Sequence, residues 1–148
     1  MKRLWQIKIY AVAAVLLGAA MLASSCSIPN LETPECIEAR PAVRIFYSFH
    51  FGNDMTFSPE NLEARSRFLT ERLKTELQSR GGTGDPFTTG DDNVPKAFRA
   101  GSCQTVSPDR VALEVLMLWR TGEGDTQKAI TVEMQKIGDE WLVDKVIY

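Results

Sequence analysis

From residue 97 onward the chain alternates, and that alternation is its strongest structural constraint. Val111, Leu113, Val115, Met117 and Trp119 are apolar at every second position. Ile130, Val132 and Met134 repeat the pattern, as do Trp141, Val143 and Ile147. A period of two places each row on one face of a β-strand. We read four strands, at 97–106, 110–120, 128–137 and 140–147. Ser107-Pro108-Asp109, the run from Thr121 to Asp125, and Gly138-Asp139 supply the turns between them. Turns this short make an antiparallel meander.

Upstream the period is helical. Thr33 can cap a helix over 34–51, with Pro34 in the first position, where its missing N–H costs nothing. Val43, Phe46, Tyr47 and His50 fall on one face, and Gly52-Asn53 stops the run. Pro41 either kinks this helix or marks its true start. A second helix opens at Ser58-Pro59-Glu60 and carries the stripe Leu62, Leu69, Leu73 and Leu77. Thr70-Glu71 can split it in two, and Arg80-Gly81-Gly82 ends it. Helices first and strands after define an α+β chain, with two or three N-terminal helices packed on one face of a four-stranded antiparallel sheet.

The first 25 residues follow a different logic. Lys2, Arg3 and Lys8 precede an apolar run of 15 residues from Ile9 to Ala23, and small residues lead up to Cys26. As a helix the run would reach about 22 Å, short of a hydrocarbon core about 30 Å thick. It reads as a secretory signal peptide over 1–25. Leu22-Ala23-Ser24-Ser25-Cys26 resembles the lipobox of bacterial lipoproteins, although Leu22 stands four residues before the cysteine where three is usual. That resemblance implies acylation of Cys26, with residues 26–33 as a tether and 34–148 as the folded domain. Ser27, in place of Asp, implies sorting to the outer membrane, facing the periplasm. Cleavage by the ordinary signal peptidase would instead leave a secreted periplasmic protein.

Loss of the leader removes three of 17 basic side chains and none of 19 acidic ones, leaving a formal charge of −5. No basic cluster is present to hold phosphates, so nucleic acid is not an expected partner. With Cys26 acylated, Cys36 and Cys103 remain as a pair, and in an oxidising envelope an even pair reads as a disulfide. Buried thiols are the alternative. Neither cysteine has a second ligand at metal spacing, and there is no Cys-x-x-Cys, so we expect no metal and no redox role.

The helices-then-meander order resembles the cone-shaped fold of nuclear transport factor 2 and its relatives, in which a curved four-stranded sheet wraps the helices. The run Gly138-Asp139-Glu140-Trp141-Leu142-Val143-Asp144-Lys145-Val146 is similar to the last strand of many such domains. Three segments also resemble a bacterial envelope family known only as a domain of unknown function. These are Ala39-Arg40-Pro41 through Phe46-Tyr47, Phe68-Leu69-Thr70, and Asp85-Pro86-Phe87 leading to Phe98-Arg99-Ala100-Gly101. The likeness covers roughly residues 36–147. It implies a secreted or lipid-anchored protein and supplies no catalytic residues.

Candidate sites are few. His50 is the only histidine; among Tyr47, Phe49 and Phe51 it reads as a core or interface residue rather than a base. Asp85, Asp91, Asp92 and Asn93 lack the spacing of a calcium loop and read as a solvated segment. Gly81-Gly82-Thr83-Gly84 lacks the lysine of a phosphate loop. Tyr47, Trp119 and Trp141 can line a pocket for an apolar ligand, or serve simply as core. Phe87, Lys96, Phe98 and Arg99 combine aromatic and basic groups in the manner of a protein contact surface. The expected function is non-enzymatic: binding another envelope protein or a small apolar ligand beside the membrane. The alternatives are a cone-fold enzyme of isomerase or dehydratase type, which would need a buried acid or Tyr47, and a periplasmic immunity or inhibitor protein. Nothing in the sequence specifies a cofactor or an oligomeric state.

Overall fold

The computed structural model describes residues 32–148 apart from Thr83, Asp92 and Glu123. The expected signal peptide, Cys26 and most of the tether lie outside the described residues. Helix α1 spans Pro34–Phe51, with Pro34 in its first turn. The Thr33 side chain accepts a hydrogen bond from the Cys36 N–H. Pro41 lies inside this helix without ending it. The buried face of α1 is Cys36, Ala39, Val43, Phe46, Tyr47 and His50, spaced by threes and fours. That is the stripe of a helix laid on a flat apolar surface.

The second expected helix is split. Helix α2 runs Pro59–Arg65 and a 3₁₀ turn follows over Ser66–Phe68. Leu69 then pairs in parallel with Val143, and the Thr70 N–H donates to the Val143 carbonyl at 3.0 Å. Two residues are thus taken into an extended pairing, and the helix restarts as α3 over Glu71–Arg80, capped by Thr70. This short segment also covers part of the free edge of the last strand, an edge otherwise open to pairing with another chain.

Strands β1 (Ala97–Ser107), β2 (Arg110–Thr121), β3 (Gly124–Ile137) and β4 (Glu140–Ile147) form one open antiparallel sheet in the order β1-β2-β3-β4. β3 begins at Gly124, four residues earlier than expected, because Gly124 pairs with Thr121 in a tight hairpin. The extra residues, 124 to 127, are exposed along their length, as are 128 and 129. No apolar alternation marks them.

The inward row of β2 (Val111, Leu113, Val115, Met117 and Trp119) is buried, together with Ile130, Val132 and Met134 of β3 and Trp141 and Val143 of β4. Helices α1 and α3 and the 3₁₀ turn pack on this sheet, and α2 packs against α3 and the 3₁₀ turn. The start of α1 is held by a disulfide between Cys36 and Cys103, 67 residues apart in sequence, and by Arg40, which donates to the Gly101 carbonyl at 2.7 Å and pairs with Glu32. A register shift in the β3–β4 ladder at Glu133/Met134 sets Val132 opposite Val146 and Met134 opposite Val143. Asp144 falls in this bulge, which turns Val146 toward the core. Ile147, expected on the inward face with Trp141 and Val143, is therefore turned out and is 42 % exposed.

Candidate functional site

A large concavity lies between α1, the 3₁₀ turn and the β3–β4 hairpin. It measures about 590 Å³, within the range of natural ligand sites. Phe46, Met134 and Trp141 form its floor, and Ala42, Ile45 and Phe68 its apolar sides. Ile45 is 57 % exposed at the lip, although α1 is otherwise well packed. Charge lies at the rim, with Arg67 on one side and Glu38, Asp139 and Glu140 on the other. Glu38 accepts from Lys136 Nζ at 2.7 Å and from Trp141 Nε1 at 3.4 Å. The Lys136 hydrogen bond is the chief reason its carboxyl sits below the usual range. Arg67 is held over the Phe68 ring at 4.6 Å and the Phe49 ring at 5.1 Å, which keeps its charge beside the groove while shielding apolar surface.

A second polar feature is internal. His50, Asp85 and Arg65 are each 1–2 % exposed. His50 Nε2 lies 2.9 Å from Asp85 Oδ2, and Arg65 donates through Nε to His50 Nδ1 at 2.7 Å. A guanidinium cannot accept a hydrogen bond, so Nδ1 must present its lone pair and the proton sits on Nε2. The imidazole is therefore neutral and transmits hydrogen bonding between a buried cation and a buried anion. Arg65 also donates to the carbonyls of Asn61 and Asp54, each at 2.7 Å. Asp85 accepts from the Phe87 N–H and the Thr88 hydroxyl, each at 2.9 Å. Beside this hub is a cavity of only about 10 Å³, room for at most one water. The hub ties the loop after α3 to α1 and α2.

This geometry corrects the reading of that loop. Asp85, Phe87, Thr88 and Thr89 are buried, not solvated. Phe87, offered as a partner contact, is 2 % exposed and packs against Phe46 and His50. Phe98 is half-buried against Tyr47 and Phe51. Lys96 and Arg99 are exposed. Phe87 therefore lies in the core, apart from the two cations, and the four residues do not form one surface.

The three aromatic residues expected to line one pocket are also separate. Tyr47 is wholly buried and donates its hydroxyl to the Phe87 carbonyl at 2.8 Å. Burial, and secondarily the charge of Asp85, hold that hydroxyl well above its ordinary pKa. Trp119 pairs across from Thr126 and Trp141 from Lys136. Ten residues of β3 separate those two positions, about 33 Å along the strand. Of the three, only Trp141 meets the large groove.

Arg65 and Asp144 escaped the sequence reading. Arg65 follows Leu62 by three residues and precedes Leu69 by four, so the apolar stripe itself placed it inward. Asp144, 2 % exposed, accepts from the Thr70 hydroxyl at 2.7 Å and from Arg72 Nε at 3.1 Å. Burial raises its pKa, but the hydrogen bonds from Arg72 and Thr70 and the charges of Arg72 and Arg110 outweigh that and hold it below the usual range. Family models, curated proteins and solved structures give no match to this chain.

Proposed function

We propose that the chain is a lipid-anchored envelope protein with a cone-like domain of the nuclear transport factor 2 type, and that it binds another envelope protein through the groove beside α1. The observation that carries this reading is the groove itself: an apolar floor with an exposed isoleucine at its lip and charges confined to the rim. That distribution matches protein contact surfaces, with an apolar centre and a polar border. A polypeptide segment, which can seat an apolar side chain on the floor and set polar groups at the rim, suits it. Asp139 and Glu140, both exposed, favour a segment whose apolar anchor is flanked by a basic residue. The order of helices and strands supports the cone-like reading, and the leader and Cys26 support the anchor.

The test is a photoreactive residue placed at Ile45 in the intact envelope, with Lys145, exposed on β4, as the control position. A discrete adduct from position 45 that is missing from position 145 supports the reading. Equal or no cross-linking from both positions overturns it. Mass spectrometry of the detergent-extracted protein reports the anchor separately, as the mass of acyl chains on Cys26.

A further inference from the structure

At the end of β3 remote from the groove there is a smaller pocket of about 230 Å³. Its lining is Thr89, Asp91, Asn93, Trp119, Thr126 and Lys128. One of its walls carries an anomaly. Thr89 is 5 % exposed, and its hydroxyl is a buried polar atom without a hydrogen-bond partner among the described residues. An unpaired buried hydroxyl costs free energy, and native structures hold few of them. The pocket is thus lined by a residue that carries an unsatisfied hydrogen-bonding group.

We propose that this pocket binds the neutral pyranose ring of a saccharide. The size argues first. At about 230 Å³ the pocket falls below the range for drug-sized ligands, which leaves a single ring and excludes an acyl chain or a peptide segment. The charge argues second. Among the described lining residues one carboxylate, Asp91, stands against one ammonium, Lys128, a balance that favours a neutral guest. The hydrogen-bonding inventory argues third. Two hydroxyls, an amide, a carboxylate and an ammonium provide both donors and acceptors, as a ring bearing several hydroxyls requires. Trp119 supplies the apolar wall against which the C–H face of such a ring can rest. Its indole N–H donates to the Asn93 carbonyl at 2.8 Å. That bond fixes the ring and also positions the loop that carries Asp91 and Asn93.

The site differs in place and chemistry from the groove beside α1, so either can fail without the other. The experiment uses the isotopically labelled full chain in a sugar-free detergent, titrated with glucose, with N-acetylglucosamine and with glycine. The expected result is saturable shifts at the amides of residues 89, 91, 126 and 128 and at the Trp119 indole N–H, with a Kd on the order of 1 mM for at least one sugar and none for glycine. Asp91→Ala and Thr126→Ala change exposed positions and should each weaken binding about fivefold. Thr89→Val removes the unpaired hydroxyl, keeps the volume and should weaken binding as much, with an unchanged spectrum elsewhere. Three outcomes overturn the proposal: no saturable shift with either sugar, sugar shifts that all three variants leave intact, or glycine binding as tightly as the sugars.

Discussion

Replacing Asp85 by Asn tests the buried hub with almost no change of volume. In the folded protein one carboxylate serves three donors, His50 Nε2–H, the Thr88 hydroxyl and the Phe87 N–H. It also offsets the charge of Arg65, which is itself 2 % exposed. An amide has one accepting oxygen. If that oxygen keeps the Phe87 N–H, the NH₂ faces the Nε2–H of His50, donor against donor. The imidazole cannot escape by moving its proton to Nδ1, because Arg65 Nε already donates there. Breaking a buried charge arrangement from one side costs about 3–5 kcal/mol, and we expect Asp85→Asn to lose about that much. Urea unfolding followed by tryptophan fluorescence measures it as a fall in midpoint at constant m. A double-mutant cycle with Arg65→Met should return part of the loss, because the second change removes the cation that the first left uncompensated. A loss below about 1 kcal/mol, the range of exposed pairs, would refute the claim that these groups act as one dry unit.

Three further outcomes follow from other contacts. Replacing Cys36 and Cys103 by serine should cost up to about 4 kcal/mol, from the entropy of a closed loop of this length, read as a lower unfolding midpoint than that of the oxidised protein. Asp144 has a folded-state pKa below its ordinary value, so its contribution is present above the ordinary carboxylate range and fades as pH falls through the folded value. Asp144→Asn should therefore lose stability at neutral pH and flatten the acid limb of the stability–pH curve, as measured by thermal unfolding across pH. Gly84→Ala would bring a Cβ to 1.8 Å from the Gly90 carbonyl oxygen. Backbone cannot yield as a side chain can, so the loss should exceed the about 1–3 kcal/mol usual for an overpacked core, with hydrogen exchange rising first between residues 84 and 93.

The regular elements were legible because burial imposes a period. The inward row of β2, the first half of that of β4 and the face of α1 are read directly from alternating or helical apolar spacing, whereas the bulge at Asp144 breaks the alternation and turns Ile147 out. The start of β3 was hidden because both of its faces are wet there, so no alternation arises. The loop after α3 misled for the opposite reason. Its glycines and aspartates are the composition of a solvated segment, yet Asp85 folds its carboxylate back onto the Phe87 N–H. That is a local turn Asp-Pro-Phe could have suggested, but its long-range partners His50 and Arg65 could not be read from spacing. Pairwise polar contacts across 15 and 35 residues leave no periodic trace. The groove was missed for a related reason, since a concavity belongs to the packing of elements and not to any one of them.

Why the groove lies where it does follows from the dimensions of the cover. A helix of 18 residues is about 27 Å long and, with side chains, about 10–12 Å across. Four strands at about 4.8 Å spacing present a sheet about 14 Å wide between its outer strand axes, wider still with their side chains. One helix cannot cover that face. Leu62 of α2 and Leu73 and Leu77 of α3 add cover beside it, and the loop held by Asp85 adds Phe87. The chain spends Leu69 and Thr70 on the edge of β4 instead of on another helical turn. Cover therefore thins after Phe68, and Met134 and Trp141 are left as the floor of an open trough. The same two residues that protect the sheet edge from strand pairing thus open the apolar face beside it. Filling the trough from within, by Ala42→Leu, should raise stability or leave it unchanged while abolishing cross-linking from position 45. If stability falls sharply instead, the space is not empty enough to receive a partner's side chain.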